Sequence, residues 1–388
     1  MIITHKTEIF PLKEHKDFLE RCFGARRFFF NVAISELNRR YNFNLKENIK
    51  SIKSKEIMAL RKEVILSKYR EWKLMVPDQI LYTSMEDVCF AVESLRKKGK
   101  VIKLRKKKDN NTFRIIKSGS GMTFWYENGD KYIGLPQFNR YKLPKLKMAE
   151  PLRWDNADIR TVTIKKFAGR YWISITCEIP DLPRMINNNH HLGIDWGVST
   201  YLTCFDGKDI LEGDFCKKTL SKLDFRIRKN QKSLARKKKF SKNWYKAKTK
   251  LQQFYLNLTN YRHAYIDEVV KELVLNYDTV TMESLNATFF SKNRRLSRLV
   301  ALKPPYLFKV RLVNKFSQYS KKVFQVPKDF ASTQTCNQCG YRRMGDEKLK
   351  LGEKIFTCPS CGHKDTRDGN AAKNIYDYKN LEEVILDN

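Results

Sequence analysis

The clearest periodic signal lies near the start of the chain. In "LKEHKDFLERCFGARRFFFNVAISELNRRYNFN", Leu19, Cys22, Phe23, Phe30, Ile34 and Leu37 recur at helical spacing, which predicts a helix from about 12 to 47. Residues 1–10 alternate weakly and predict one strand. "KEIMALRKEVILSKYREW" predicts a second helix. "DQILYTSMEDVCFAVESLRKK" predicts a third after Pro77, with Asp78 placed to cap near its start. The stretch "RKKGKVIKLRKKKDNN" is basic, poor in apolar residues, and reads as an exposed edge. From about 112 to 180 the pattern changes to short strands. "FRIIKSG", "MTFWYENGDKYIGL" and "TVTIKKFAGRYWISITCEI" set β-branched and aromatic residues around Asn-Gly and Ala-Gly turns, as hairpins of a small barrel or meander do. The opening strand can join this sheet, which leaves the helices as an insertion.

A polar, Pro-containing linker, "DLPRMINNNHH", marks a domain boundary. Beyond it, "HLGIDWGVSTYLTCFDGKDILEGDF" predicts two strands joined at Asp206-Gly207. Long helices are predicted over about 218–238 and 244–274, the second with Leu251, Phe254, Tyr255, Leu258, Tyr265, Val269 and Leu273 on one apolar face. The basic segment "ARKKKFSKNWYKAKTK" lies between them, and "DTVTME" predicts a further strand. No internal repeat is visible.

Charge changes this picture more than composition does. The 388 residues suffice for two or three domains. Lys+Arg 77 against Asp+Glu 42 leaves +35, an excess that calls for a polyanionic partner. The basic runs are dispersed and not gathered at one amphipathic end, which favours nucleic acid over a membrane surface. No apolar run approaches the ~18 residues of a membrane span, and the start lacks the apolar core of a signal peptide. An intracellular protein is expected, with its nine cysteines reduced. Cys22, Cys89, Cys177, Cys204 and Cys216 stand alone beside apolar neighbours and are expected to be small core residues.

The other four cysteines are paired. Cys336/Cys339 and Cys358/Cys361 form two C-x2-C units eighteen residues apart, a spacing that closes a tetrahedral shell of thiolates around zinc. Gly340 and Gly362 follow the pairs and permit the tight turn of a metal knuckle. The residues between the pairs are polar and cannot build a core, so the metal is expected to hold this segment together. His363 is close by, but four cysteines already complete the shell.

Three carboxylates stand where chemistry could use them. Asp195 ends the apolar strand "HLGID", Glu283 ends "DTVTME", and Asp368 opens the helix "DGNAAKNIYDY". Two strand ends and one helix start can converge at one sheet edge, where three carboxylates hold one or two hard divalent cations, magnesium or manganese over zinc. Each also has a plainer account: turn chemistry for Asp195, helix capping for Asp368, and simple exposure for Glu283.

These residues also match a family. "GIDWGVSTYLT", "TVTMESLN" and "STQTCNQCG…FTCPSCGHKDTRDGNAAKNI" resemble the TnpB family encoded by insertion sequences, which is related to the compact type V CRISPR effectors. "FGARRFFFNVAISELNRRY" is similar to the family's N-terminal helix, and "LARKKKFSKNWYKAKTKL" to its basic bridge. The resemblance implies a mixed α/β chain with an RNase H-like RuvC nuclease domain over 187–330 and 365–388, and a zinc-ribbon insert over 331–364 that binds target nucleic acid. It implies a wedge β-barrel over 1–10 and 110–186, and a helical recognition lobe over 11–109. Asp195, Glu283 and Asp368 would be the catalytic triad, holding two magnesium ions, with manganese as the alternative. Cys336, Cys339, Cys358 and Cys361 would hold structural zinc.

The implied activity is RNA-guided cleavage of DNA beside a short target-adjacent motif. The partners would be a guide RNA of the omega type and double- and single-stranded target DNA, with one protein chain per RNA, in the cytoplasm of a bacterial or archaeal cell and on its nucleoid when bound. Arg26, Arg27, Lys106, Lys107, Lys108, Arg236, Lys237, Lys238 and Lys239 would neutralise phosphates. A minimal CRISPR effector, a non-cutting guided repressor and an unguided RuvC-type nuclease share parts of this description. The third motif departs from the usual D-R-D: it reads Thr366-Arg367-Asp368, with Asp365 one place before it, and Asp368 is assigned because it precedes "GNAA". Ser284 follows Glu283 where an acidic residue is common, and Trp196 follows Asp195.

Overall fold

The alternation in the first ten residues becomes strand β1, Ile2–Phe10, with Ile3, His5, Thr7 and Ile9 buried. The computed structural model describes residues 1–42, 52–66, 71, 75–98, 102–106, 111–117, 124–135, 138, 141–155, 157–181, 189–197, 199–284, 294–350, 352–379 and 382–384. They fall into two units, Met1–Pro180 and Asp181–Asn388.

In the first unit, β1 pairs antiparallel with β7 (Arg170–Glu178) and, at its end, with β5 (Leu146–Met148). β2 (Asn111–Ile116), β3 (Trp125–Tyr126), β4 (Tyr132–Gly134) and β6 (Asp158–Phe167) complete the sheet, in the order β2-β6-β7-β1-β5-β4-β3. The predicted Ala-Gly hairpin is present: Ala168 and Gly169 have φ of +54° and +77° between β6 and β7, which matches the twist of the strands they join. Among the described residues the seven strands pair in a line, with β2 and β3 at its ends.

The helices are inserted between β1 and β2. They are α1 (Lys13–Tyr41), α2 (Ser54–Leu60) with a π-helical continuation Arg61–Leu66, and α3 (Asp78–Lys98). α1 buries Phe18, Leu19, Cys22, Phe30, Ile34 and Leu37 along one stripe. It ends six residues before the expected 47, because Asn42 turns left-handed (φ +47°) and donates to the Asn38 carbonyl at 2.9 Å. Ile80, Met85, Val88 and Val92 of α3 share this core with Phe113, Ile115, Ile173 and Ile175 of the sheet.

In the second unit the sheet runs, edge to edge, β10 (Ile210–Gly213), β9 (Leu202–Phe205), β8 (His191–Trp196), β11 (Thr279–Met282), β12 (Lys322–Gln325) and β15 (Glu382–Glu383). β8, β9 and β10 are an antiparallel meander. The sequence led us to expect two strands here. There are three, because the Asp206-Gly207 turn joins β9 to β10 and β8 itself pairs antiparallel with β9, Trp196 opposite Leu202. β11 and β12 then run parallel to β8, and β15 closes antiparallel on β12. A buried Lys321 pairs with Asp278 at 3.0 Å and donates to the carbonyls of Val274 and Tyr277, pinning the entries to β11 and β12.

Helices α4 (Lys217–Ala235) and α5 (Lys242–Asn276) form a hairpin; Ser241 caps α5 by accepting from the Trp244 amide at 3.1 Å. α6 (Arg294–Leu302) and α7 (Pro305–Gln318) precede β12. Ile266, Val270, Val274, Phe308, Leu312 and Phe316 cover the sheet residues Leu192, Ile194, Val280 and Val323. The small hairpin β13 (Ile355–Thr357) and β14 (Lys364–Thr366) leads into α8 (Arg367–Tyr376), which packs on β8 and β9. Gly193 makes that close approach possible: a Cβ there would lie 2.5 Å from the Ala372 carbonyl oxygen.

Of the solitary cysteines, Cys22, Cys177 and Cys204 are buried as expected and Cys89 is half-buried. Cys216 is exposed, contrary to expectation, because it sits at the surface entry to α4, where its amide donates to the Tyr261 hydroxyl at 2.9 Å. Among the described residues no helix is long and apolar enough to cross a membrane.

Candidate active site and metal centre

The two C-x2-C units fold as matched knuckles. The Gly340 amide donates to the Cys336 carbonyl at 2.9 Å and the Cys336 amide to Tyr341; Gly362 and Cys358 repeat the pattern at 3.0 and 2.8 Å, with His363 as the second acceptor. Gly340 and Gly362 have φ of +74° and +72°, the left-handed region that a side chain would strain. The four Sγ atoms lie within 4.8 Å of one another, with Cys336 to Cys361 at 3.7 Å and Cys339 to Cys358 at 3.5 Å. A tetrahedron of Zn–S bonds of ~2.3 Å sets its sulfurs about 3.8 Å apart, so the set fits zinc. Burial pushes the Cys358 thiol up, but the amides of Cys361 and Ser360 and the neighbouring Cys339 and Cys361 outweigh it and hold it at about 7. Phe356 is the buried centre of this small cluster.

The three carboxylates come from three elements of the second unit. Asp195 lies within β8, opposite Thr203, and is 4 % exposed, so a terminal turn does not account for it. Glu283 is the residue after β11, whose register on β8 pairs Met282 with Ile194. Asp368 is in the first turn of α8. Capping does not account for it either: Thr366 is the cap, its Oγ1 accepting from the Gly369 amide at 3.1 Å. A Cβ on Gly197 would come within 3.8 Å of Asp368 Oδ2, which sets this carboxylate against the turn that leaves β8.

Burial raises Asp195 well above the usual carboxylate range, and the facing charges of Glu283 and Asp368 add to it. Burial also raises Glu283. Arg367, which sequence reading left without a role, donates from Nε to Asp368 Oδ1 at 3.0 Å and partly offsets the repulsion at Asp195. Its signal was its position inside the third motif. Among the described residues the four thiols are the metal-ligating set close enough to share one ion as they stand, and the carboxylates are set less tightly. Their chemistry still fits a hard divalent cation. The donors are all carboxylate oxygens, and one of them is buried where an uncompensated negative charge is costly.

The basic residues divide into two groups. Arg26 is committed to Asp87 (Nε–Oδ2 2.8 Å) and to the Thr112 carbonyl at 2.7 Å. It nevertheless lines a cavity of about 240 Å³ with Phe23, Arg27, Arg105, Lys106, Asn111 and Thr112. Arg105, missed in the sequence, shares Asp87 at 3.1 Å and lies 3.7 Å above the Phe30 ring. Lys107 and Lys108 lie outside the described residues. Arg236, Lys237, Lys238 and Lys239 are exposed together at the tip of the α4–α5 hairpin, beside an exposed Phe240 and Tyr245.

Known proteins share this order of features. A helix-turn-helix domain pattern of the OrfB_IS605 group matches residues 1–46, which fold here as β1 and the single helix α1 over their described part. The OrfB_IS605 family itself, described as "Probable transposase", matches 174–294, and the Cas12f1-like TNB domain matches 306–375. A "Putative RNA-guided DNA endonuclease" of Streptomyces pristinaespiralis is 26% identical over 378 residues, 95% of this chain and 87% of that protein. "Putative RNA-guided DNA endonuclease InsQ" of Escherichia coli (strain K12) is 26% identical over 392 residues, 95% of this chain and 90% of its own. The protein of a solved Cas12f1-sgRNA-target DNA complex superimposes with a TM-score of 0.63 at 14% identity, over 96% of this chain and 84% of that one; the likeness is one of fold. Its motifs, its thiol centre and these matches follow the same order along the chain, which is thus similar to OrfB_IS605 (TnpB-type) proteins over 174–294 and to the Cas12f1-like TNB domain over 306–375.

Proposed function

We propose that this protein is an RNA-guided DNA endonuclease of the TnpB type, and that Asp195, Glu283 and Asp368 form its hydrolytic site. The observation that carries this reading is the convergence of the three carboxylates from β8, the end of β11 and the first turn of α8, with burial and mutual repulsion acting on Asp195. Three antiparallel strands followed by two parallel ones support an RNase H-like, RuvC-type arrangement of 187–330 and 365–388. Residues 331–364 act as the zinc ribbon, 1–10 with 110–186 as the wedge, and 11–109 as the recognition lobe.

The three carboxylates would hold two magnesium ions, which when bound would supply activation of water and stabilisation of the leaving oxygen of a phosphodiester. Asp195 would be the buried ligand, held as the charged carboxylate when a cation is bound. Glu283 and Asp368 would supply the other carboxylate oxygens. Arg367 holds Asp368 by its Oδ1 and leaves Oδ2 available. Cys336, Cys339, Cys358 and Cys361 hold zinc and take no part in hydrolysis. The cavity with Arg26, Arg27 and Lys106, and the tip with Arg236, Lys237, Lys238 and Lys239, neutralise RNA and DNA phosphates, with Phe240 offered for stacking. One chain binds one guide RNA and acts in the cytoplasm, at DNA.

The experiment is to express the protein with its native flanking DNA, sequence the RNA that co-purifies, and assay magnesium-dependent cleavage of a matching target. A structured RNA ending in a copy of adjacent sequence, with cutting lost in Asp195→Ala while RNA binding is kept, is the expected result. Cutting without RNA, or full cutting by Asp195→Ala, would sink the reading.

A further inference from the structure

The helix that carries Asp368 is tied to the thiol centre by buried amides that the hydrolytic chemistry leaves unused. Asn370 and Asn374 stand one turn apart on α8 and so share a face; they are 0% and 8% exposed. Asn370 Nδ2 donates to the Thr335 carbonyl at 2.7 Å, and its Oδ1 accepts from the Asn337 amide, between the first two cysteines, at 3.0 Å. Asn374 Nδ2 donates to the carbonyls of Ser332 at 2.8 Å and Thr335 at 2.6 Å. Asn337 returns the contact through Nδ2 to Asp377 Oδ2 at 2.8 Å.

The second pair of cysteines reaches the same helix by another route. β14 pairs with β13, the Arg367 amide donates to the Lys354 carbonyl at 2.8 Å, and β14 runs without a break into α8. Both knuckles therefore grip the turns of α8 that hold Asp368. Adhesion alone does not require these amides, since the neighbouring Ala371, Ala372 and Ile375 are already fully buried. A buried carboxamide whose partner shifts loses the whole of its compensation for leaving water. The bonds thus set the position of the helix along its own axis, and a misplacement of about 1 Å is costly to a metal-binding carboxylate.

We propose that Asn370 and Asn374 are positioning residues that couple the closed four-thiol centre to Asp368, so that DNA cleavage requires the thiol centre even though no thiol touches the reacting phosphate. The proposal rests on the reading of Asp368 as an active-site ligand. The test uses the complete ribonucleoprotein carrying Asn370→Leu, Asn374→Leu, the conservative Asn370→Asp, or Asp368→Ala. Four quantities are measured: zinc per chain, guide-RNA affinity, Mn²⁺ bound as read by electron paramagnetic resonance, and the Mn²⁺ concentration for half-maximal cleavage.

The expected result is wild-type zinc content and RNA affinity in both leucine variants. Their bound Mn²⁺ falls, and their half-maximal Mn²⁺ rises by about 10- to 100-fold, as changes that orient metal ligands do. Asn370→Asp, which keeps the Oδ1 acceptor, should lie between them and wild type. Wild-type Mn²⁺ dependence in the leucine variants, with Asp368→Ala inactive, would overturn the coupling alone. Loss of zinc or RNA affinity in step with cleavage would make these residues parts of the ribbon's fold and overturn it too. Full cleavage by Asp368→Ala would overturn the active-site reading and the coupling with it.

Discussion

Asp365 Oδ2 accepts from Lys373 Nζ at 2.8 Å, two turns along the helix that Asp365 precedes, while its Oδ1 accepts from the Thr366 amide at 2.6 Å. The carboxylate that most nearly restores the familiar third motif is therefore already occupied in fastening β14 to α8. Asp368 is left to meet Asp195. Asp365→Ala should remove one partly buried ion pair, on the order of 1 kcal/mol, and keep most of the cleavage rate. Asp368→Ala should reduce cleavage below detection. Side-by-side cleavage of one DNA target by the two variants checks this, and the reverse ranking would reassign the third ligand.

Asp195→Asn should abolish cleavage and at the same time stabilise the protein in chelator. Its folded-state pKa is raised, so the folded chain binds more protons than the unfolded one above the ordinary carboxylate pKa of about 4. The contribution of Asp195 to stability without divalent cations should accordingly be greatest below that pH and fall as pH rises towards the raised value. The amide removes the penalty. Each kcal/mol so regained raises the melting temperature by about 2–4 °C in a unit of this size. The difference in melting temperature between Asp195→Asn and wild type, in chelator between pH 4 and 8, checks the sign; a difference that shrinks as pH rises would contradict the assigned burial.

Cys358→Ser should release zinc and unfold the segment around Phe356, because the rest of the ribbon offers little core of its own. Metal analysis and amide exchange over 332–366 would register both. The β1–β7 sheet of the first unit should keep its protection.

Replacing Arg236, Lys237, Lys238 and Lys239 together by alanine should weaken RNA or DNA binding and flatten its salt dependence. Each lost phosphate contact removes roughly 0.7–0.9 from the slope of log K against log salt, so four contacts give a change of about 3. A slope that stays the same would return this exposed tip to a solvated surface.

How much of this was legible in the sequence depended on the range of the interactions involved. The thiol centre could be read outright, because C-x2-C and a following glycine are local requirements of one tetrahedron. α1 was legible from its stripe, but its end was not. Asn42 stops it by a left-handed turn that no apolar period announces. The count of strands before α4 failed for a related reason: no Asn-Gly or Asp-Gly pair marks the reversal from β8 to β9, and only the pairing of Asp195 with Thr203 reveals it. Asp195 and Glu283 were found as strand ends, yet their meeting depends on a parallel register that sequence spacing cannot supply. Arg105 and the amides of Asn370 and Asn374 went unread because their partners are distant in sequence, whereas Arg367 pairs with its neighbour Asp368 and was marked only by its place in the third motif.

That parallel register also governs how the chain reaches its final form. His191 of β8 meets Thr279 of β11 across 88 residues, a long loop to close before any pairing energy is recovered. The α4–α5 hairpin fills most of that interval with contacts between neighbours in sequence, and it brings the end of β10 back towards the start of β11. Formed early, it shortens the search for the parallel pair. The union of Asp195 with Glu283 is then a late event in folding, and a chain nicked at the exposed tip of the hairpin would refold slowly although no residue of the active site had been touched.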